Sequence, residues 1–425
     1  MKKALVLGLL FACGGNDVDP RVIAGGGIGD GEIDGEINVT VVDNDDAPIS
    51  GVTVRVGETD KETAADGVVT FDGVDGAQDI AVLADGFRPV MWVGANGANV
   101  TLPLSAVSAA AVPQATLSGS IPGWDTITVA ANHLKAASVF YSQTDTLGDL
   151  ENNLATPNGG NVCGIVGDVC NWQLTSRVGA VTLVAAIVDI DLQGPGEADN
   201  VTTVIGWASR TSVTVNDGVN QQGLDLTMVE AGNLEDVSVD FGAPPAGLSE
   251  TVALVGIEVG EDEVIQLPLF LAPDLVTLTV PKPSVFSATS TYRLTAVAQT
   301  TSGDDGAQSI LIQRDEAGPT LIAGDWLIPP TGVTADRDGA AWERVAGAKL
   351  HQVSYVDTAG DTLLEITVFD SSTEIAIPSL VALPTTGALQ ARVSGIGANL
   401  DVTDFSLDED RDQLFAIAAE PVEIP

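Results

Sequence analysis

The chain has 425 residues, with 59 acidic side chains against 17 basic ones and a formal net charge of −42. A surface this negative repels phosphate and shows no basic patch, which excludes nucleic acid as a partner. Apolar residues make up 45% of the chain, enough to fill real cores, so the acidity does not signal global disorder. The 2 histidines, His133 and His351, lie far apart in sequence and carry no motif, which argues against imidazole chemistry. At ~100–150 residues per domain, the length predicts three or four domains.

Lys2 and Lys3 precede an apolar run over residues 4–12, too short to cross ~30 Å of hydrocarbon as a helix. The run ends in Leu10-Phe11-Ala12-Cys13, followed by Gly14-Gly15-Asn16-Asp17. This resembles a bacterial lipoprotein signal peptide with its lipobox, an apolar residue standing three before the cysteine and a small one directly before it. The resemblance implies removal of residues 1–12 and acylation of Cys13, which supplies the several acyl chains that stable anchoring needs. Because residue 14 is Gly and not Asp, the resemblance points to an outer-membrane lipoprotein, periplasmic or surface-exposed. The alternative is an ordinary secretory signal, with Cys13 incidental.

Cys163 and Cys170 then remain as an even pair, which in an exported chain forms a disulfide closing a small loop. The entropic model gives such a loop about 2.5 kcal/mol. A redox or zinc site would need a CxxC spacing or further Cys and His ligands.

Residues 13–36 carry Gly25-Gly26-Gly27 and the near-repeat Asp30-Gly31-Glu32-Ile33-Asp34-Gly35-Glu36, which read as a flexible tether. From residue 37 onward, apolar and polar residues alternate with period two, broken by Asp-Gly, Gly-Asp, Asn-Gly and Pro signals at intervals of about ten residues. The expected fold class is all-β, several consecutive antiparallel sandwiches of Ig-like or transthyretin-like type. The only helix candidates are short, at 131–137 and 406–416.

Residues 37–105 form the first predicted sandwich. A strand with Ile37, Val39 and Val41 runs into the turn Asp43-Asn44-Asp45-Asp46-Ala47-Pro48, and a hairpin follows at Thr63-Ala64-Ala65-Asp66-Gly67-Val68-Val69-Thr70-Phe71. A later strand ends in Ala84-Asp85-Gly86-Phe87. This order resembles the carboxypeptidase regulatory-like (transthyretin-like) domain, whose matching positions here are turn and core residues and imply no catalytic role. An Ala- and Ser-rich linker leads to a second sandwich, 114–232, which contains the disulfide loop, and a third spans 233–318. The last, 319–425, opens with Trp326-Leu327-Ile328-Pro329-Pro330 and holds Trp342 and Tyr355 in strand patterns. It resembles a fibronectin type III domain.

Calcium candidates are weak: Asp43, Asp45 and Asp46 on a turn, and Asp408, Asp410 and Asp412 in a tighter run. Neither has the spacing of an EF-hand, and solvated Asx turns explain both. Asp189 and Asp191 lie on one face of a strand and read as its solvated side, with Val188, Ile190 and Leu192 turned inward. Trp92, Trp124, Trp172, Trp207 and Trp342 sit beside strand patterns and are expected in cores, not on a sugar-binding face.

The reading from sequence is a non-catalytic, monomeric, lipid-anchored envelope protein that needs no cofactor. Its sandwiches serve as stalk or binding modules for an envelope protein or polysaccharide. The alternatives are a secreted carbohydrate-active hydrolase and a calcium-dependent adhesin.

Overall fold

A computed structural model describes residues 23, 25–107, 113–144, 161–164, 168–191, 201–259, 263–271, 277–301, 306–407, 410 and 413–424. These residues contain strands and short 3-10 turns and no α-helix. The strands fall into four consecutive groups. Module 1 holds β1 (Gly27–Gly29), β2 (Asp34–Asp43), β3 (Thr53–Val56), β4 (Thr59–Glu62), β5 (Val68–Asp75), β6 (Gln78–Leu83), β7 (Val90–Ala95) and β8 (Asn99–Leu104). Module 2 holds β9 (Gln114–Ser120), β10 (His133–Tyr141), β11 (Gln143–Thr144), β12 (Asn161–Cys163), β13 (Asn171–Arg177), β14 (Gly179–Asp191), β15 (Val201–Val215) and β16 (Thr227–Met228). Module 3 holds β17 (Leu234–Asp240), β18 (Glu250–Glu258), β19 (Glu263–Leu271), β20 (Thr277–Pro281), β21 (Thr291–Gln299), β22 (Gln308–Glu316) and β23 (Thr320–Ile322). Module 4 holds β24 (Thr334–Ala335), β25 (Gly339–Ala341), β26 (Leu350–Asp357), β27 (Thr362–Val368), β28 (Glu374–Ala376), β29 (Leu389–Ala398), β30 (Phe405–Ser406) and β31 (Leu414–Ile424).

Each module is a sandwich closed by the period-two residues. In module 1, Ile37, Val39 and Val41 of β2 are fully buried against Val54 of β3 and Ile80 and Val82 of β6. In module 4 the sheet β24-β25-β28 lies on β27-β26-β29-β31, a three-on-four Ig-like sandwich packed through Ala340, Ile375, Val353, Ile366 and Ala391. Module 3 repeats the plan, with β20-β17-β23 on β19-β18-β21-β22. The fold is all-β.

The modules are not separate beads. One 13-stranded sheet runs β11-β19-β18-β21-β22-β31-β29-β26-β27-β7-β6-β3-β4 and so takes strands from all four. Its joins are antiparallel pairing of β11 with β19 and of β22 with β31, and parallel pairing of β27 with β7. A second join ties the two ends of the chain, since β1 pairs with β30 through Gly27↔Ser406 and Ile28↔Phe405. Behind that seam Trp92, Phe369 and Phe405 form an aromatic row, with ring centroids 5.0 and 5.7 Å apart in succession.

Module 2 is coupled through its core. The sheet β12-β10-β14-β15-β16 turns Val139, Leu183, Ala185 and Ile187 towards β9 and β13, and Phe140, Val184, Ala186 and Trp207 towards module 3. With both faces covered, β14 is apolar almost throughout its first ten residues.

Two sequence expectations give way here. The proposed tether is ordered in its second half: β1 is buried, Ile33 is 4% exposed, and β2 starts at Asp34. Its glycines admit the left-handed turns between short strands, with Gly31 at φ 73° and Gly35 at φ 82°. Neither helix candidate is α-helical among its described residues. Residues 133–141 pair along their whole length with β14, where Ala136 and Ala137 fit between cores on opposite faces, and 405–406 and 414–416 belong to β30 and β31. Pairing and two-sided burial override the modest helical preference of Leu-Lys-Ala-Ala.

Candidate functional site

A notch of about 480 Å³ lies at the junction of modules 3 and 4. β31 creates it. The strand pairs with β22 only as far as Ala419, and beyond that point Glu420 and Val422 face a gap between the two modules. The gap is roofed by Ile328-Pro329-Pro330-Thr331, the start of module 4, and floored on the other side by Leu248, Thr300 and Ala307 of module 3. Proline has no N–H to donate, so this segment passes β31 without joining its ladder. Ile328 is 64% exposed, an unusual position for so large an apolar side chain beside a concavity. Burial alone pushes the Glu420 carboxyl up from the ordinary glutamate range. Among the described residues nothing donates to the buried Thr300 hydroxyl.

A second, more polar notch of about 330 Å³ lies between modules 2 and 3, lined by Ser209, Arg210, Thr211, Asp225, Thr227 and Val285. Arg210 is turned towards the carbonyls of Gly223 and Asp225, 3.4 and 3.5 Å away, which fixes its guanidinium against its own module.

The structure joins His133 to Asp189 and Asp191, from which the sequence reading kept it apart. The register His133↔Asp191 and Lys135↔Asp189 places the imidazole between both carboxylates, with Nδ1 2.8 Å from Asp189 Oδ1 and Nε2 3.4 Å from Asp191 Oδ1. The two aspartates therefore share a face, as the spacing predicts, but that face is partly covered by His133. Val188 and Ile190 on the other face are only half-buried. No sequence signal gives a cross-strand register over 56 residues.

In module 3, Glu258 is half-buried and accepts hydrogen bonds from the Asp315 N–H and the Thr291 hydroxyl, both at 3.0 Å. Burial raises its carboxyl, against these hydrogen bonds and the nearby Arg293. Arg314 lies 3.9 Å away. This network braces β18 against β21 and β22.

Among the described calcium candidates, the carboxylates of Asp43, Asp46 and Asp410 hold backbone N–H groups. Asp43 Oδ1 accepts the N–H groups of Asp45 and Ala47 at 2.9 and 3.0 Å, and Asp46 accepts that of Gly25 at 2.8 Å. Asp410 accepts the Ser406 N–H at 2.9 Å, while Asp408 and Asp412 lie outside the described residues, as does Cys13. Among the described residues no three His, Cys, Asp or Glu side chains are placed to hold a metal ion. The five tryptophans expected in cores are there, all 5% exposed or less.

Cys163 and Cys170 are disulfide-bonded and buried. Both cysteines share a core with Trp124, and Gly164, at φ 81°, lies so close to the indole that a Cβ would collide with it. Lys135 covers the same ring and donates to the Trp124 and Ile127 carbonyls at 2.6 and 2.8 Å. Replacing both cysteines by Ser is expected to cost about 2.5 kcal/mol in urea unfolding, the entropy of an open loop this short. A loss below about 0.5 kcal/mol would show that packing on Trp124 already fixes the loop.

No family model and no curated protein matches the chain. Among solved structures it is similar to the Bacillus anthracis TIE protein, at 8% identity over 68% of this chain and 49% of that one, with a TM-score of 0.14. It is also similar to the chicken CNTN1 FN1-FN3 domains, at 11% identity over 82% and 94% of the two chains and a TM-score of 0.15. A tetra-tandem repeat in the extending region of a large adhesion protein matches at 12% identity over 92% and 99%, also with a TM-score of 0.15. The chain spans about half the length of the first of these. Likenesses this remote carry no argument, and the all-β sandwich class stands on the sheets and cores described above.

Proposed function

We propose that the protein is a non-catalytic, lipid-anchored protein of the cell envelope whose sandwiches form one stiff stalk or binding body. The observation that carries this reading is the 13-stranded sheet that takes strands from all four modules. A body built this way holds a surface at a fixed geometry, which suits display and binding. The disulfide supports an oxidising, extracytoplasmic location. The Lys2–Cys13 pattern supports acylation at Cys13, and Gly14 in place of Asp supports the outer membrane. Module 1 is read as carboxypeptidase regulatory-like and module 4 as fibronectin type III-like, and the partner as an envelope protein or polysaccharide.

Cys13→Ser tests the anchor. The wild type is expected to fractionate with membranes and take up palmitate label, and the variant to move to the soluble fraction without label. A variant that stays in the membrane overturns the reading.

A further inference from the structure

The segment between β25 and β26 clasps the linker that joins modules 3 and 4. Its Glu343 N–H donates to the Thr331 carbonyl at 2.8 Å, and its Glu343 carboxylate accepts the Thr331 hydroxyl. Val345 and Ala348 enter the core of module 3 with Leu327, the linker residue whose carbonyl accepts the Ser309 hydroxyl of β22 at 2.8 Å. Gly347 lies close enough to Leu327 that a Cβ would press on it. The His351 ring, fully buried on β26, holds this segment in turn by accepting the Val345 N–H at Nε2, 3.3 Å away. Only the neutral ring can accept there, because the imidazolium carries a hydrogen on both nitrogens. Among the described residues Nδ1 has no acceptor and no carboxylate pairs with the ring. Its neighbours across β27 and β29 are Val368 and Gly395, and the Trp342 ring covers it. Of the charged groups around it, Glu343 is engaged by Thr331, Arg344 is a cation acting on the ring, and Lys349 acts on Asp401. Glu420 of β31 stands one row further along, opposite Val393.

From this geometry we propose that His351 is an acid-sensitive pin, whose protonation turns the acceptor of the Val345 N–H into a donor, expels the 343–348 segment and frees the linker, so that modules 3 and 4 become hinged. Strand β26 is paired on both sides and the segment belongs to no sheet, so the segment yields first. The pairing of β22 with β31 persists and serves as the hinge. Burial and the Arg344 cation both disfavour the charged ring, whereas the ring in an opened joint meets water and takes its proton more readily. The joint is therefore closed at neutral pH and opens as the pH falls. The inference deepens the reading of the sandwiches as one stiff body by naming where the stiffness is released, and membrane release of Cys13→Ser tests the anchor separately.

The test uses the full chain with methyl-labelled leucine and valine and isotope-labelled histidine, followed by NMR from pH 7 to about pH 4. With only 2 histidines in the chain, His133→Gln assigns the ring signals. At neutral pH the His351 ring is expected to be uncharged with its proton on Nδ1. As its nitrogens report protonation, the Leu327 and Val345 methyl signals should shift in step, while those of Val54 in module 1 and Leu117 in module 2 stay in place. His351→Gln, whose amide oxygen accepts the Val345 N–H at every pH, should lose the acid response at Leu327 and Val345. Glu343→Gln, whose amide oxygen still accepts from Thr331, should retain it. The wild-type ring and methyl signals decide the matter by themselves if His351→Gln does not fold. Protonation of His351 with no shift at Leu327, or shifts that come only together with those of Val54 and Leu117, would overturn the inference. So would an acid response that survives in His351→Gln or vanishes in Glu343→Gln.

Discussion

Replacing Trp207 by Ala is expected to cost about 3–5 kcal/mol, the range for deleting a fully buried aromatic side chain. Its second effect is to uncouple module 2 from module 3. Trp207 is 0% exposed and stands on the face of β15 that leaves module 2's own core. Its Nε1 donates to the Thr279 carbonyl of β20 at 2.9 Å, so the deletion removes both packing and an inter-module hydrogen bond. Interfaces between domains of one chain are commonly polar and permit relative motion, whereas this one is continuous with the hydrophobic core of module 3. Calorimetry of the variant should show module 2 melting ahead of the rest. Trp172→Ala is the control: its ring is 2% exposed in module 2's own core, so it should lower that module's stability while leaving the coupling intact. A Trp207→Ala loss below about 1 kcal/mol, or an unchanged melting profile, would mean that Phe140, Val184 and Ala186 with the short pairing of β11 and β19 hold the modules together without it.

That coupling marks the boundary of what the amino-acid order discloses. Alternation at Ile37, Val39 and Val41, or at Val353 and Tyr355, states which face is buried, because side-chain direction repeats every two residues along a strand. The disulfide was legible for a similar reason: two cysteines seven positions apart have few other partners. The inter-module joins were not. Pairing of β7 with β27, or of β1 with β30, depends on backbone groups that every residue carries, so no side chain announces it. Gly27-Ile28-Gly29 therefore reads as a tether and folds as a strand, because its partners in β8 and β30 are distant in sequence. The notch was hidden likewise. Glu420 and Thr300 are ordinary residues in their own strands or turns, and only the place where β31 outruns β22 brings them to one concavity. His133 with Asp189 and Asp191 depends on a register no local pattern sets.

Acidification from pH 7 to pH 4 is expected to remove about 3 kcal/mol of stability through His351 alone. The ring is 0% exposed on β26, 5.6 Å from Trp342 between centroids. Its Nε2 accepts the Val345 N–H at 3.3 Å, which assigns the proton to Nδ1 in the neutral ring. Burial, with the Arg344 cation adding to it, lowers the imidazole from its ordinary value of 6.5 to about 4. Between those values the unfolded chain binds the proton and the folded one does not. The contribution is therefore complete above pH 6.5, is lost as the pH falls, and is gone below about pH 4. The raised carboxyls of Glu258 and Glu420 act in the opposite sense, since the folded state holds their protons more firmly and gains stability on acidification. A wild-type profile alone mixes these contributions, so the measurement is the difference in urea-unfolding free energy between wild type and His351→Gln at successive pH values. That difference should be constant above pH 7 and shift by about 3 kcal/mol in favour of the variant by pH 4. A difference that stays flat across the whole range would mean that His351 takes up its proton inside the folded core as easily as in the unfolded chain.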